Sequence, residues 1–168
     1  MNKIFDQTFN QIEPLTFYGI LRLRVDVFVV EQNCAYPELD GFDVDPNTRH
    51  VWIKDEDSPV CYLRVLRVSK EVYKIGRVAT SLHNRNKGMA KSLIEHVIDT
   101  TSGELILDAQ AYLEDWYEEI GFTTNGEAFE EGCGHDSNSG ILHVPMVYKR
   151  EIDSVSYTHL RAHETSLH

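Results

Sequence analysis

The sequence predicts one domain of mixed α/β fold, on three observations. Residues 50–54, 60–68 and 72–80 are β-rich runs joined by short polar turns, which makes an antiparallel meander. A helical stripe over residues 88–101 then stands between the runs 72–80 and 104–109. Strand, helix, strand in that order implies a crossover between parallel strands. Finally, 168 residues with 42% hydrophobic and 26% charged side chains make about one globular domain with a sizeable core.

Residues 5–13 read as extended or irregular, and Pro14 suits the first position of a helix. Residues 15–30 carry two periods at once. Tyr18, Leu21, Val25 and Phe28 recur at helical spacing, while Leu21, Leu23, Val25, Val27 and Val29 alternate with Arg22, Arg24, Asp26 and Phe28 as a strand would. Valine favours strand, and periodicity leaves both readings open. Residues 31–47 form a loop rich in Asp, Glu, Pro and Gly. Most of its acidic side chains (Glu31, Glu38, Asp40, Asp43, Asp45) are expected in solvent.

Residues 55–59 and 69–71 are turns within the meander. In the helix that follows, Met89, Leu93, Val97 and Ile98, with Ala90 and Ile94, share one face, and Ser102-Gly103 stops it. Residues 104–109 are a short buried strand. Residues 112–120 are a second short helix ended by Gly121, and strand character returns at Phe122. A glycine-rich loop over 130–140 leads to a closing strand at 141–149, where Pro145 marks an edge or bulge. The domain is complete by Arg150. Residues 151–168 do not share its pattern and are expected to be disordered or foreign to it.

A formal net charge of −11 argues against nucleic-acid binding, which needs a basic face, and is compatible with a cationic amine substrate. No apolar run reaches the roughly 18 residues of a membrane span, and the N-terminus lacks the apolar core of a signal peptide, so the cytoplasm is the expected location. Cys34, Cys61 and Cys133 are an odd number without close pairing and read as reduced thiols. No Cys/His spacing suggests zinc, so no metal is expected. The expected assembly is a monomer or homodimer.

The chemistry concentrates where the third strand meets the helix. Polar residues end the strand, Arg85-Asn86-Lys87-Gly88-Met89-Ala90 follows, and the helical stripe begins. Such a turn aims unpaired amides and the positive end of a helix dipole at one spot, which suits a phosphate. The pattern Arg85-x-x-Gly88-x-Ala90 resembles the acyl-CoA pyrophosphate loop of the GNAT N-acetyltransferases. Arg24-Val25-Asp26-Val27-Phe28-Val29-Val30-Glu31-Gln32-Asn33-Cys34 with Tyr36-Pro37-Glu38-Leu39-Asp40-Gly41 resembles the N-terminal segment of the ElaA-type branch of that superfamily, a helix running into an acceptor-side loop. This tips residues 15–30 towards helix. Tyr117-Glu118-x-x-Gly121-Phe122 resembles the segment that closes the acyl-CoA site.

The resemblance covers about residues 15–150. It implies a twisted mixed sheet flanked by helices, with a V-shaped splay between two central parallel strands, and transfer of acetyl from acetyl-CoA to an amine through a ternary complex. It implies that Arg85, Asn86, Lys87, Gly88, Met89 and Ala90 hold the pyrophosphate, and that the backbone of Val78, Ala79 and Thr80 holds the pantetheine and thioester. Gln110 stands where the family often has Asn, which puts its contact in doubt. Tyr117 matches the tyrosine that protonates the departing sulfur. A phenol near pKa 10 facing a thiol near 8.5 suits that role.

The acceptor, a small-molecule or peptide amine, needs a base. A lysine-like amine is neutral in only about one part in a few thousand at pH 7. Glu31, His50 and Asp108 are candidates, and the residues do not choose among them. Glu31 and Asp40 are candidates to bind a cationic acceptor. Cys34 has no neighbouring base to make it a nucleophile. Two alternatives remain: an acyltransferase like the acyl-homoserine-lactone synthases, which share the Arg-x-x-Val-Phe pattern, and a non-catalytic acyl-CoA-binding or sensing domain.

Overall fold

The computed structural model describes residues 2–133 and 140–150; the tail expected at 151–168 lies outside them. The elements are β1 (Phe5–Gln7), α1 (Pro14–Val25), β2 (Arg49–Asp55), β3 (Ser58–Arg67), β4 (Val72–Thr80), α2 (Met89–Thr100), β5 (Glu104–Gln110), α3 (Glu114–Ile120), β6 (Thr123–Thr124), β7 (Phe129–Gly132) and β8 (Gly140–Tyr148). They form a single sheet in the order β1-β2-β3-β4-β5-β8-β6, with β7 also on β8. The antiparallel meander is β2-β3-β4, and β4 and β5 are parallel around α2. The irregular start includes an edge strand, β1, on β2.

Alternation along the strands supplies two cores. Val51, Ile53, Leu63, Ile75, Leu105, Leu107 and Met146 face α2 and α3, where Leu93, Ile94, Val97, Tyr117 and Phe122 meet them. On the opposite face Trp52, Tyr62 and Ala79 pack against Ile20, Leu23 and Val27 from α1 and its extension. α1 therefore is a helix, as the resemblance implies, and it runs into a widened π-type turn at Asp26–Glu31. A π segment inside a helix is frequent at functional sites.

Two irregularities open the sheet. β4 and β5 pair only as far as Ile75 and Leu107, although both strands continue, so their facing edges part beyond that point. On its other side β4 bulges: Tyr62 is opposite Ala79 but Arg64 is opposite Gly76, and Arg77 sits at φ +54°. A bulge with a left-handed residue bends the strand and re-aims its side chains. Pro145 lies in an interior strand, but at the gap where β8 leaves β7 at His143 and meets β6 at Met146, so its missing N–H breaks no ladder there.

Candidate active site

The parted strands open into a cleft of about 970 Å³. Its donor wall is local in sequence. After β4 a short turn at Leu82–Asn84 is held by Asn84 Nδ2 donating to Ser81 Oγ at 2.7 Å. Asn86 and Gly88 then take left-handed backbone, at φ +62° and +76°. Gly88 caps α2, and its carbonyl accepts from the Ser92 amide and hydroxyl at 3.1 and 3.0 Å. The amides of Met89, Ala90 and Lys91 form the first helical turn and so have no partner within it. Nothing lies within 4 Å of where a Gly88 side chain would begin. An open, glycine-floored cradle beneath unpaired amides, with Arg85, Lys87 and Lys91 on its rim, fits a pyrophosphate.

Val78 and Thr80 line the cleft beside this cradle, while the Ala79 side chain turns away into the α1 core and only its backbone is available. Arg85 Nε donates to the Thr80 carbonyl at 3.0 Å, tying the loop to the strand end. Tyr117 projects from α3 into the cleft, 4% exposed, with its ring edge-on to Trp116 and Phe122. Burial pushes its phenol up, so it stays protonated at neutral pH. Gln110 ends β5 in the cleft and meets Gln32 through long amide contacts of 3.4 and 3.5 Å.

The other wall is assembled from distant segments; Glu31, Asp40 and Asp45 are exposed as expected, but Glu38 and Asp43 are not. Glu38 and Asp43 are each only 5% exposed. Arg24 of α1, wholly buried, donates to Glu38 and Asp43 at 2.7 Å each. Arg64 of β3 donates to Asp40 at 2.7 and 2.9 Å and to Asp43 at 3.1 Å. Arg77, from the bulge, lies 2.8 Å from Glu38, off-line for a hydrogen bond, and 3.4 Å from Asp40. Three guanidinium groups thus offset three carboxylates. Burial alone would raise the Asp40 and Asp43 carboxyls, but the arginine hydrogen bonds outweigh it and hold both below the usual range.

Three expected roles change as a result. Asp40 lines the cleft, but its charge belongs to Arg64 and does not stand free for a cationic acceptor. Glu31 lies at the mouth and is gripped by Arg85 through two 2.5 Å bonds. Arg85 holds its carboxyl down, which makes Glu31 a poor base and places it with the donor wall. His50 does not line the cleft at all. It is fully buried, its Nε2–H donates to the Asp43 carbonyl at 2.9 Å, and Nδ1 accepts from the Tyr62 hydroxyl at 2.7 Å. A carbonyl can only accept, which fixes that tautomer. His50 supports the loop and is no base for a substrate. Asp108 does line the cleft, 2.7 Å from Lys74 Nζ.

The cysteines differ from expectation as well. Cys34 and Cys133, 99 residues apart in sequence, are joined as a disulfide, because the loop after the π turn and the end of β7 meet above the cleft. Spacing along the chain carried no sign of that meeting. Cys61 is the free thiol, buried, with burial pushing it up to about 11. Sequence reasoning also passed over Arg64, Arg77, Lys74, Glu131 and His143, all of which line the cleft. They sit on strands with ordinary alternation, and only the pairing of the strands brings them together.

Comparison with known proteins fits this geometry. A family model for the acetyltransferase (GNAT) domain matches residues 24–150. The chain belongs to the GNAT acetyltransferase family. Over 141 residues it is 38% identical to the UPF0039 protein Rv2851c of Mycobacterium tuberculosis, covering 81% of this chain and 86% of that one. Protein ElaA of Escherichia coli is 32% identical over 144 residues, 82% of this chain and 90% of ElaA. The crystal structure of ElaA superposes with a TM-score of 0.78, covering 89% of this chain and all of that one, which places this GNAT protein in the ElaA-type branch. An acyl-CoA N-acyltransferase from Pseudomonas aeruginosa superposes with a TM-score of 0.77 at 28% identity, over 88% of this chain and 99% of that one. Among the described residues no group of His, Cys, Asp and Glu is placed to hold a metal, and no helix is long and apolar enough to cross a membrane.

Proposed function

We propose that this GNAT protein moves the acetyl group of acetyl-CoA directly to the amine of a small molecule or peptide, within a ternary complex. The observation that carries this reading is the parting of β4 from β5 after Ile75 and Leu107, beside a glycine-floored helix start. A parted strand pair presents unpaired N–H and C=O groups to an extended amide-bearing arm, as in strand addition. Arg85, Lys87 and the amides of Met89, Ala90 and Lys91 would hold the pyrophosphate, and the backbone of Val78, Ala79 and Thr80 the pantetheine. Acetyl-CoA supplies an activated thioester. The strand amides polarise its carbonyl, an oxyanion-type contribution. The Tyr117 hydroxyl donates towards the sulfur as the C–S bond breaks. Direct transfer is favoured because Cys34 is bonded to Cys133 and the Cys61 thiol is buried and raised.

The test is thiol release from acetyl-CoA across a panel of amines and peptides, with CoA affinity measured by calorimetry. Tyr117→Phe should lower kcat by about 10²-fold or more and change the CoA Kd little. Tight CoA binding without acetylated product, and with no effect of Tyr117→Phe, would instead support a sensing domain. Use of adenosylmethionine with larger acyl donors would support the lactone-synthase-like alternative. A complex with the CoA phosphates away from the Gly88 amide would overturn the assignment of the donor wall.

A further inference from the structure

We propose that His143, on β8, is the base that deprotonates the acceptor amine; this rests on the acetyl-transfer reading. The described carboxylates lining the cleft are Glu31, Glu38, Asp40, Asp108 and Glu131. Four face a permanent cation: Glu31 faces Arg85, Glu38 faces Arg24 and Arg77, Asp40 faces Arg64, and Asp108 faces Lys74. A carboxylate so paired has its lone pairs committed to the cation, and for Glu31 and Asp40 the pairing also holds the carboxyl below its usual range. Among the described residues, Glu131 Oε2 lies 3.5 Å from His143 Nε2 and faces no cation.

The local bonds fix the tautomer. His143 Nδ1 lies 2.7 Å from the Ile141 carbonyl, and a carbonyl only accepts, so Nδ1 carries the hydrogen. Nε2 of the neutral ring then keeps its lone pair. Stacking on Phe129 holds the ring, and Glu131 Oε2 lies 3.5 Å from Nε2. A ring oriented through Nδ1, with a lone pair on Nε2 and a carboxylate beside it, is an arrangement suited to general-base catalysis.

The position fits too. Counting on from the last parallel pair, Ile75 and Leu107, Val78 and Gln110 stand about level on the two lips of the splay. His143 is directly opposite Gln110, and opposed residues share a face of the sheet. That is the face of α1 and the acceptor loop, whereas Tyr117 approaches from the face of α2 and α3. Base and acid thus flank the gap from opposite sides. The elements packed on β8 bring Glu131 from β7, Asp108 from β5 and Tyr112 from the turn after β5 as the titratable groups lining the cleft with it.

In the reaction, His143 Nε2 takes a proton from the ammonium, and the N–H bonding pair remains on nitrogen. That pair forms the C–N bond as the C–S bond breaks and its electrons leave on sulfur. The Tyr117 hydroxyl gives sulfur its proton. The surplus proton of the new amide nitrogen restores the phenol through water, and the imidazolium loses its proton to solvent. One free proton is released overall.

His143→Asn keeps an N–H for the Ile141 carbonyl and removes Nε2, and His143→Gln serves as a second variant. Thiol release from acetyl-CoA is followed from pH 5.5 to 9 with primary alkylamines and amino-acid amides as probes, and with water as the acceptor. In wild type kcat/KM should rise through a single ionisation. Both variants should lose that limb and about 10²–10⁴-fold in rate while binding CoA as wild type does. A variant within about threefold of wild type with the same pH profile would overturn the assignment of the base. Loss of CoA affinity in step with rate in both variants would make His143 structural and overturn it as well. Wild type that binds CoA but releases no thiol with any acceptor would fell the acetyl-transfer reading itself, a different failure.

Discussion

The two walls of the cleft are built by opposite strategies. The donor wall is one continuous segment, from Val78 to Lys91, whose working parts are backbone amides, one glycine and a few exposed cations. The acceptor wall joins α1, β3, the bulge of β4 and the loop that carries Glu38, Asp40 and Asp43, and its working parts are buried side-chain charges. A phosphate-binding turn needs only local backbone geometry. A wall built on buried side chains needs its charges neutralised, because an unpaired buried charge is costly. The difference predicts that the two walls respond differently to mutation.

The largest effect should come from Arg24→Leu. It leaves Glu38 and Asp43 without their main cation, and removing one partner of a buried pair costs about 3–5 kcal/mol. Against a typical total of roughly 5–15 kcal/mol, that places the chain near unfolding at modest urea concentrations. The urea midpoint should fall sharply, while CoA affinity of the folded fraction in buffer stays close to wild type. A midpoint shift of only a few tenths of a kcal/mol would mean that the acceptor loop is held mainly by its apolar contacts and by Cys34.

Gly88→Ala probes the donor wall by the smallest possible change. A residue with a Cβ in left-handed backbone costs about 1–2 kcal/mol. No atom lies within 4 Å of the new methyl, so the cost arises from the backbone and from whatever ligand fills the cradle. CoA affinity should fall by about tenfold by calorimetry, with the urea midpoint moved much less than by Arg24→Leu. Unchanged affinity would detach Gly88 from the phosphate.

These contrasts also explain what the sequence discloses. The meander, the crossover around α2 and the glycine turn before α2 are legible because each depends on neighbours in the chain: alternation, a helical stripe, a glycine after two basic residues. Arg24 looks like any polar position between Leu23 and Val25, and its burial becomes visible only when α1 is laid against β3 and β4. His50 has a suggestive side chain at a strand start, yet its register opposite Arg64 turns it into the core. His143 gives no local sign, since its meaning comes from lying opposite Gln110 on one side and Phe129 on the other. The Cys34–Cys133 link is of the same kind: it records a tertiary contact between two loops.

His50 offers a pH test confined to the acceptor wall. Burial holds its folded pKa below the usual imidazole value, against the pull of the Asp43 carbonyl. The unfolded chain then binds the proton first. Its contribution is fully present above about pH 6.5 and is lost as pH falls from there towards the folded value. One proton sets a limiting slope of about 1.4 kcal/mol per pH unit. Unfolding free energies by urea at pH 7.5 and 5.5 should show the decline, and His50→Gln should flatten it. The depressed carboxyls Asp6, Asp40 and Asp43 act in a separate window, because their contribution is lost only as pH falls below about 4.

The smallest effect should lie at an exposed ion pair between the π turn and the loop before α2. Glu31, from the π turn, holds both terminal nitrogens of Arg85, the cation nearest the start of the phosphate loop. A carboxylate there occupies the guanidinium that a pyrophosphate would use, so ligand and Glu31 compete. The pair is well exposed, and such pairs contribute about 0–1 kcal/mol. Glu31→Gln should therefore tighten CoA binding by no more than about fivefold, and the gain should shrink as salt screens the wild-type pair. It should leave the urea midpoint nearly unchanged, in contrast to Arg24→Leu. Weaker CoA binding in Glu31→Gln would reverse the reading: Glu31 would then be orienting Arg85 for the phosphate, and the two walls would cooperate where the competing contact predicts that they oppose.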